Sequence, residues 1–229
     1  RLFKQILGVG LLSAVGTFQL NATVVMVTGL VGLFGADALA GFGTASRLDY
    51  VLVPPLFGLG TAVVTLVGTA IGAGNQARAR EVAWTGALLA FGVTETIGIL
   101  VAVIPNLWLE IFSRDPAVLA TGALYLQRIG PIYGATGLGM LLYFAGQGSG
   151  KVAAPFLAGT VRLLFVIGAG WLAVVRFGAG LPTLFTIVAV GAVLSAAITA
   201  ISVSVQLGVR PPGLLSPLLN RKSKAQTVV

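Results

Sequence analysis

The 229-residue chain contains no cysteine and no histidine. Without cysteine it forms neither a disulfide nor a thiolate metal site. Without histidine it lacks the commonest metal ligand and the usual general base near neutral pH. Charge is scarce as well: Asp, Glu, Lys and Arg together make up 9% of the residues, against about 25% in an average soluble domain. Sequence signatures of catalysis are missing too, with no zinc-protease helix, no P-loop lysine motif and no nucleophile elbow. Gly72-Ala73-Gly74-Asn75-Gln76-Ala77 opens like a dinucleotide-binding loop, but it follows a long apolar run and not a strand. We therefore expect no enzyme.

What is present is apolar. Hydrophobic residues make up 57% of the chain and the mean hydropathy is +1.01. A globule of this size cannot bury that much apolar surface, so the chain reads as an integral membrane protein with the lipid bilayer as its solvent. The net charge of +8 would suit a nucleic-acid binder, but the excess lies in short connectors and the tail, where membrane topology accounts for it. No nucleic-acid partner is expected.

About 20 apolar residues cross a hydrocarbon core, and six runs qualify: 6–34, 45–73, 82–105, 117–144, 154–176 and 183–208. No ten-residue alternating pattern suggests a β-barrel, so helices are the spanning form. The expected fold class is all-α, a polytopic bundle of six transmembrane helices. Breakers and charges fill the connectors, as in Gly35-Ala36-Asp37, Arg114-Asp115-Pro116 and Gly148-Ser149-Gly150-Lys151. Arg1, Lys4, Arg78, Arg80, Lys151, Arg210, Arg221, Lys222 and Lys224 fall on one side of the membrane, Arg114 and Arg176 on the other. The positive-inside rule then puts both termini in the cytoplasm. Residues 1–210 form the expected membrane domain and 211–229 a basic cytoplasmic tail, expected to be disordered. A chain that opens on Arg1 and not Met is expected to be a fragment.

Ionisable residues inside such runs mark sites, because a charge at the bilayer centre costs about 2.5–3.5 kcal/mol on insertion scales. Glu95 stands in the third run, where a carboxyl can take up and release a proton or serve as a structural partner. Arg47 and Asp49 lie near the outer end of the second run. Two residues apart on a helix, they do not face each other, so each needs water, a headgroup or another helix. Arg162 lies about 12 Å into the fifth run by helical rise, with Glu95 as one possible partner. Arg128, near the outer end of the fourth run, is expected to snorkel. Gln19 and Asn21 in the first run either line a cavity or hydrogen-bond across helices. Pro54-Pro55 and Pro131 interrupt spans, which a hydrated interior tolerates, and the 32 glycines allow close helix approach.

Several stretches together resemble one family. Val67-Gly68-Thr69-Ala70-Ile71-Gly72-Ala73-Gly74-Asn75-Gln76-Ala77-Arg78-Ala79-Arg80 is similar to the first cytoplasmic loop of a repeat in multidrug and toxic compound extrusion (MATE) transporters. Ala45-Ser46-Arg47-Leu48-Asp49 resembles that family's Arg-x-Glu at the head of a repeat's second helix. Arg128-Ile129-Gly130-Pro131-Ile132-Tyr133 and Tyr143-Phe144-Ala145-Gly146-Gln147-Gly148-Ser149-Gly150-Lys151 resemble its fourth helix and following loop. The resemblance covers most of residues 1–210 and implies the C-terminal lobe of a twelve-helix, two-lobe transporter. Its partner would be an N-terminal six-helix lobe, and its place a plasma membrane such as the bacterial inner membrane. It implies export of small cationic or amphipathic compounds by alternating access, driven by a proton or sodium gradient without a cofactor. Two departures stand out: Phe18-Gln19-Leu20-Asn21-Ala22 has no carboxylate where some relatives carry one, and Gly137 falls where sodium-coupled relatives carry Asp. Both direct the expectation toward proton coupling in the companion lobe, assisted by Glu95. A lipid-linked saccharide flippase, served by Arg47, Arg128 and Arg162, and a non-transporting membrane scaffold are the alternatives.

Overall fold

The computed structural model describes residues 2–151 and 153–207, so the tail 211–229 lies outside the described residues. Eight α-helices follow one another: α1 Leu2–Gly32, α2 Ala36–Gly72, α3 Gln76–Val103, α4 Asn106–Leu109, α5 Pro116–Ile129, α6 Tyr133–Gly148, α7 Ala153–Trp171 and α8 Leu181–Leu207. A 3₁₀ turn, Gly130–Ile132, joins α5 to α6, and a wide π turn, Leu172–Arg176, closes α7. Six segments are long and apolar enough to cross a membrane, and α5 with α6 makes one of them, Pro116–Gly148. The expected fold class is what the structure shows.

Local chemistry sets the helix ends. Gly35 adopts φ 105° ahead of α2, a left-handed backbone that favours glycine. Asn75 Oδ1 accepts from Arg78 N at 2.9 Å at the start of α3. Asp115 Oδ1 accepts from Ala117 N at 2.8 Å, and Pro116 takes the first position of α5, where its missing N–H is no loss.

Packing divides into two apolar clusters. Toward the Gly35 end, Phe42, Tyr125 and Phe185 meet ring to ring, with Tyr125 edge-on to both neighbours at 5.2 Å. Toward the Gly72 end, Ala79, Ala83, Ala87 and Ala90 of α3 are fully buried with Val67 and Leu141. Alanines spaced by three and four residues share a helix face, and their small size lets backbones approach closely. The tightest approach lies where α3 passes the turn between α5 and α6. A Cβ added at Gly130 would stand 2.5 Å from Gly98 O, and one added at Gly98 would stand 2.9 Å from Tyr133 Cβ.

Two expectations need correction. The second span begins at Ala36, nine residues before the expected residue 45, because the stretch through Gly41, packed against α5, and exposed Gly43 stays helical. Asp49 is consequently not near the outer end: thirteen residues into α2, it lies about 20 Å along the axis. Pro54 and Pro55 lie inside α2, as the span 45–73 required, and the helix continues to Gly72. The fourth span, expected over 117–144 with Pro131 interrupting it, is two helices in one span, and Pro131 occupies the joint between them.

Candidate functional site

Alternation of the spans brings the end of α1, the start of α2 and the end of the α7 segment to one face of the bundle. Gln19 is thirteen residues from Gly32, Asp49 thirteen from Ala36 and Arg162 fourteen from Arg176, so all three lie about 20 Å in from that face. They share one polar belt at mid-depth.

Asp49 is its acidic member. Tyr125 Oη donates to Asp49 Oδ2 at 2.7 Å, and the Tyr133 hydroxyl lies within electrostatic reach of the same carboxyl without closing a hydrogen bond. Tyr125 is 5% exposed and Tyr133 4%. Arg162 is the basic member, within electrostatic reach of Asp49 and Tyr125. Its Nε is buried and has no hydrogen-bond partner among the described residues. On the side of Arg162 toward α1 lies a cavity of about 50 Å³ lined by Gly16, Gln19, Leu20, Gly159, Arg162 and Ser195, with Thr23 at its edge. That volume holds a water molecule or two. Gln19 donates through Nε2 to Thr160 Oγ1 at 2.7 Å, while its buried Oε1 is unpartnered. The same chamber thus meets an orphan donor and an orphan acceptor.

Glu95 is elsewhere. Its Oε2 accepts from Gly134 N at 2.7 Å, so a side chain of α3 serves a backbone N–H in the first turn of α6, just past the 3₁₀ turn that holds Pro131. Thr94 Oγ1 stands 2.7 Å from Ala90 O and 3.0 Å from Tyr133 O, tying the same joint. Glu95 is therefore not the partner of Arg162; Asp49 is the carboxyl in its field.

The remaining candidates stand apart. Arg47 places its guanidinium over the Phe112 ring, 4.9 Å from the centroid, a cation–π contact at the rim. Asn21 is exposed and donates to Thr17 O of its own helix at 2.9 Å. Arg128 is exposed and donates to Thr186 Oγ1 at 3.3 Å. A larger hollow of about 580 Å³ is an open apolar furrow along α3, lined by Leu88, Leu89, Gly92, Val93, Thr96 and Ile97; it touches none of these groups. No cluster of His, Cys, Asp and Glu that could hold a metal exists among the described residues. Sequence reasoning singled out neither Tyr125 nor Tyr133. The available signal was a pair of amphipathic rings within an apolar span, each with a polar tip that needs a partner when buried.

The six-span bundle with a polar belt along its interior defines a multi-pass helical membrane protein. The MatE family model matches residues 13–172, and the chain belongs to that family. A probable multidrug resistance protein NorM of Thermotoga maritima is 28% identical over 154 residues, covering 67% of this chain and 33% of that protein. The chain thus spans about a third of the length of this curated relative. Among solved structures, the Vibrio cholerae MATE transporter VcmN in its bent form superposes with a TM-score of 0.81 at 16% identity, over 94% of this chain and 50% of that one. The MATE transporter ClbM in complex with Rb⁺ superposes with a TM-score of 0.78 at 21% identity, over 97% of this chain and 50% of that one. At these identities the likeness is one of fold.

Proposed function

We propose that this chain forms one six-helix lobe of a secondary active efflux transporter, working with a companion six-helix lobe. The complete protein exports small cationic or amphipathic compounds in exchange for a proton or sodium ion, through alternating access at the lobe interface. Residues 1–210 act as the membrane lobe, with both termini in the cytoplasm of a bacterial-type inner membrane. No resident cofactor enters the cycle; the driving force is the ion gradient.

The observation that carries this reading is the Asp49–Tyr125–Tyr133–Arg162 cluster at mid-depth. A bundle that only scaffolds has no use for a half-buried carboxyl and guanidinium, each expensive in a bilayer. Groups of this kind at such depth mark ion pathways and proton relays. Asp49 is the group we assign to the exchange of charge, with Tyr125 holding it and Arg162 balancing it. Glu95 and Arg47 act as supports of the lobe, at the α5–α6 joint and at the rim.

The test is transport by the intact two-lobe protein in liposomes. An imposed pH or sodium gradient is expected to drive uptake or release of a fluorescent cationic dye. Asp49→Asn is expected to slow gradient-driven dye movement at least tenfold while dye binding persists. Wild-type rates in Asp49→Asn would remove Asp49 from the cycle. No gradient-driven dye movement in the wild type would remove the antiport reading itself.

A further inference from the structure

Three helices turn small or polar residues toward one point inside the lobe. Gly16, Gln19 and Thr23 share a face of α1, Gly159 and Arg162 share a face of α7, and Ser195 comes from α8; all border the chamber of about 50 Å³. Glycine makes the room. A Cβ added at Gly159 would stand 2.8 Å from Gln19 Oε1, and one added at Gly191, a turn before Ser195, would stand 3.7 Å from Arg162 Cγ. Gln19 is 7% exposed, yet neither its Oε1 nor Arg162 Nε has a hydrogen-bond partner among the described residues. Buried polar atoms of this kind cost free energy until they are paired.

The bonds around Gln19 define what can pair them. Thr160 Oγ1 donates its single hydrogen to Phe156 O at 3.1 Å, so toward Gln19 it accepts, from Nε2 at 2.7 Å. That network orients the amide and leaves its oxygen for the chamber. Arg162 Nε acts only as a donor, because a guanidinium keeps its protons, while Ser195 Oγ can donate or accept. An occupant must therefore donate to Gln19 and accept from Arg162. A metal cation meets the guanidinium charge, and a halide has no hydrogen to offer Gln19. A neutral hydroxyl does both.

We propose that the chamber is a binding site for one water molecule, which joins α1, α7 and α8 through Gln19, Arg162 and Ser195. A buried water typically makes about three hydrogen bonds, and these three side chains supply them. The site goes beyond the antiporter reading and does not depend on it. It gives Arg162 a hydrated place within an apolar lobe. It also makes the link between α1 and α7 adjustable: a small sliding of one helix on the other leaves both groups paired, since the water moves with them.

The experiment uses crystals of the intact two-lobe protein grown without transport substrate. One set is kept in sodium chloride, a second has bromide in place of chloride, and a third has rubidium in place of sodium. The expected result is one oxygen-sized peak within about 3.2 Å of both Gln19 Oε1 and Arg162 Nε, with no anomalous signal from bromide or rubidium in the chamber. Gln19→Leu is expected to lose that peak. An anomalous peak there makes the chamber an ion site and overturns the proposal. So does a wild-type chamber without density, or one closed by a direct Gln19–Arg162 hydrogen bond. A peak unchanged in Gln19→Leu overturns it as well, and the wild-type crystals decide the question even where that variant does not fold. None of these readouts involves dye movement, so a failure of antiport leaves them standing.

Discussion

At the scale of single residues, the polar side chains do two separate jobs. Asp49 and Arg162 are placed by depth, in one belt that four helices share, whereas Glu95 is placed by a neighbour's backbone. The Glu95–Gly134 hydrogen bond gives a backbone N–H at the start of α6 a side-chain acceptor from α3. Glu95→Leu leaves that buried N–H unsatisfied and is expected to lower stability by about 1–3 kcal/mol, read as a fall in melting temperature of the detergent-solubilised protein. Glu95→Gln keeps an acceptor oxygen and should lose about half as much. Dye transport by Glu95→Gln separates the two roles the sequence allows: wild-type rates in that variant assign the residue to the joint alone.

At the scale of elements, the contact between α3 and the Gly130–Ile132 turn is a steric lock. Gly98 and Gly130 leave no room for a side chain between them. Gly98→Val is expected to push the fourth span off α3 at a cost of about 1–3 kcal/mol or more, measured by thermal unfolding and by the yield of folded protein. Gly92 offers the control, with open space where a Cβ would stand. Gly92→Ala is expected to be neutral or to stabilise by about 0.4–1 kcal/mol through the unfolded chain. These elements also show what the sequence could and could not yield. Hydropathy marks the spans, because lipid immersion and apolar composition are the same physical fact, and it marks Glu95 and Arg162 as exceptions. It does not mark helix ends, since Ala36–Thr44 and Gln76–Glu81 are helical beyond the apolar stretch that defines a span. It does not reveal which buried groups meet. Pairing Arg162 with Asp49 and not Glu95 depends on the true start of α2, which shifts Asp49 to mid-depth. Pro131 was legible as an interruption, but that Glu95 serves the interrupted helix depends on the packing of α3 beside it.

At the scale of the whole molecule, the six-span bundle covers half of the solved MATE chains it superposes on, so half of any path between lobes belongs to other residues. Residues 1–229 expressed alone are expected to enter the membrane yet confer no drug resistance above an empty vector; resistance matching the complete protein would count against a two-lobe path. Topology is testable on a clean background because the chain has no cysteine. Ser113→Cys, between α4 and α5, is expected to react with a membrane-impermeant maleimide in intact cells. Asn75→Cys, between α2 and α3, is expected to react only after permeabilisation. The reverse pattern would invert the orientation inferred from lysine and arginine counts.

The divided fourth span has one more consequence. A helix that begins inside a bilayer carries about half a positive elementary charge at its first turn, and such an end, left open, attracts anions. Here α6 begins with its Gly134 N–H already engaged by the Glu95 carboxylate. That embedded terminus is satisfied electrically from within the bundle, so an anion meets no open helix end at the joint.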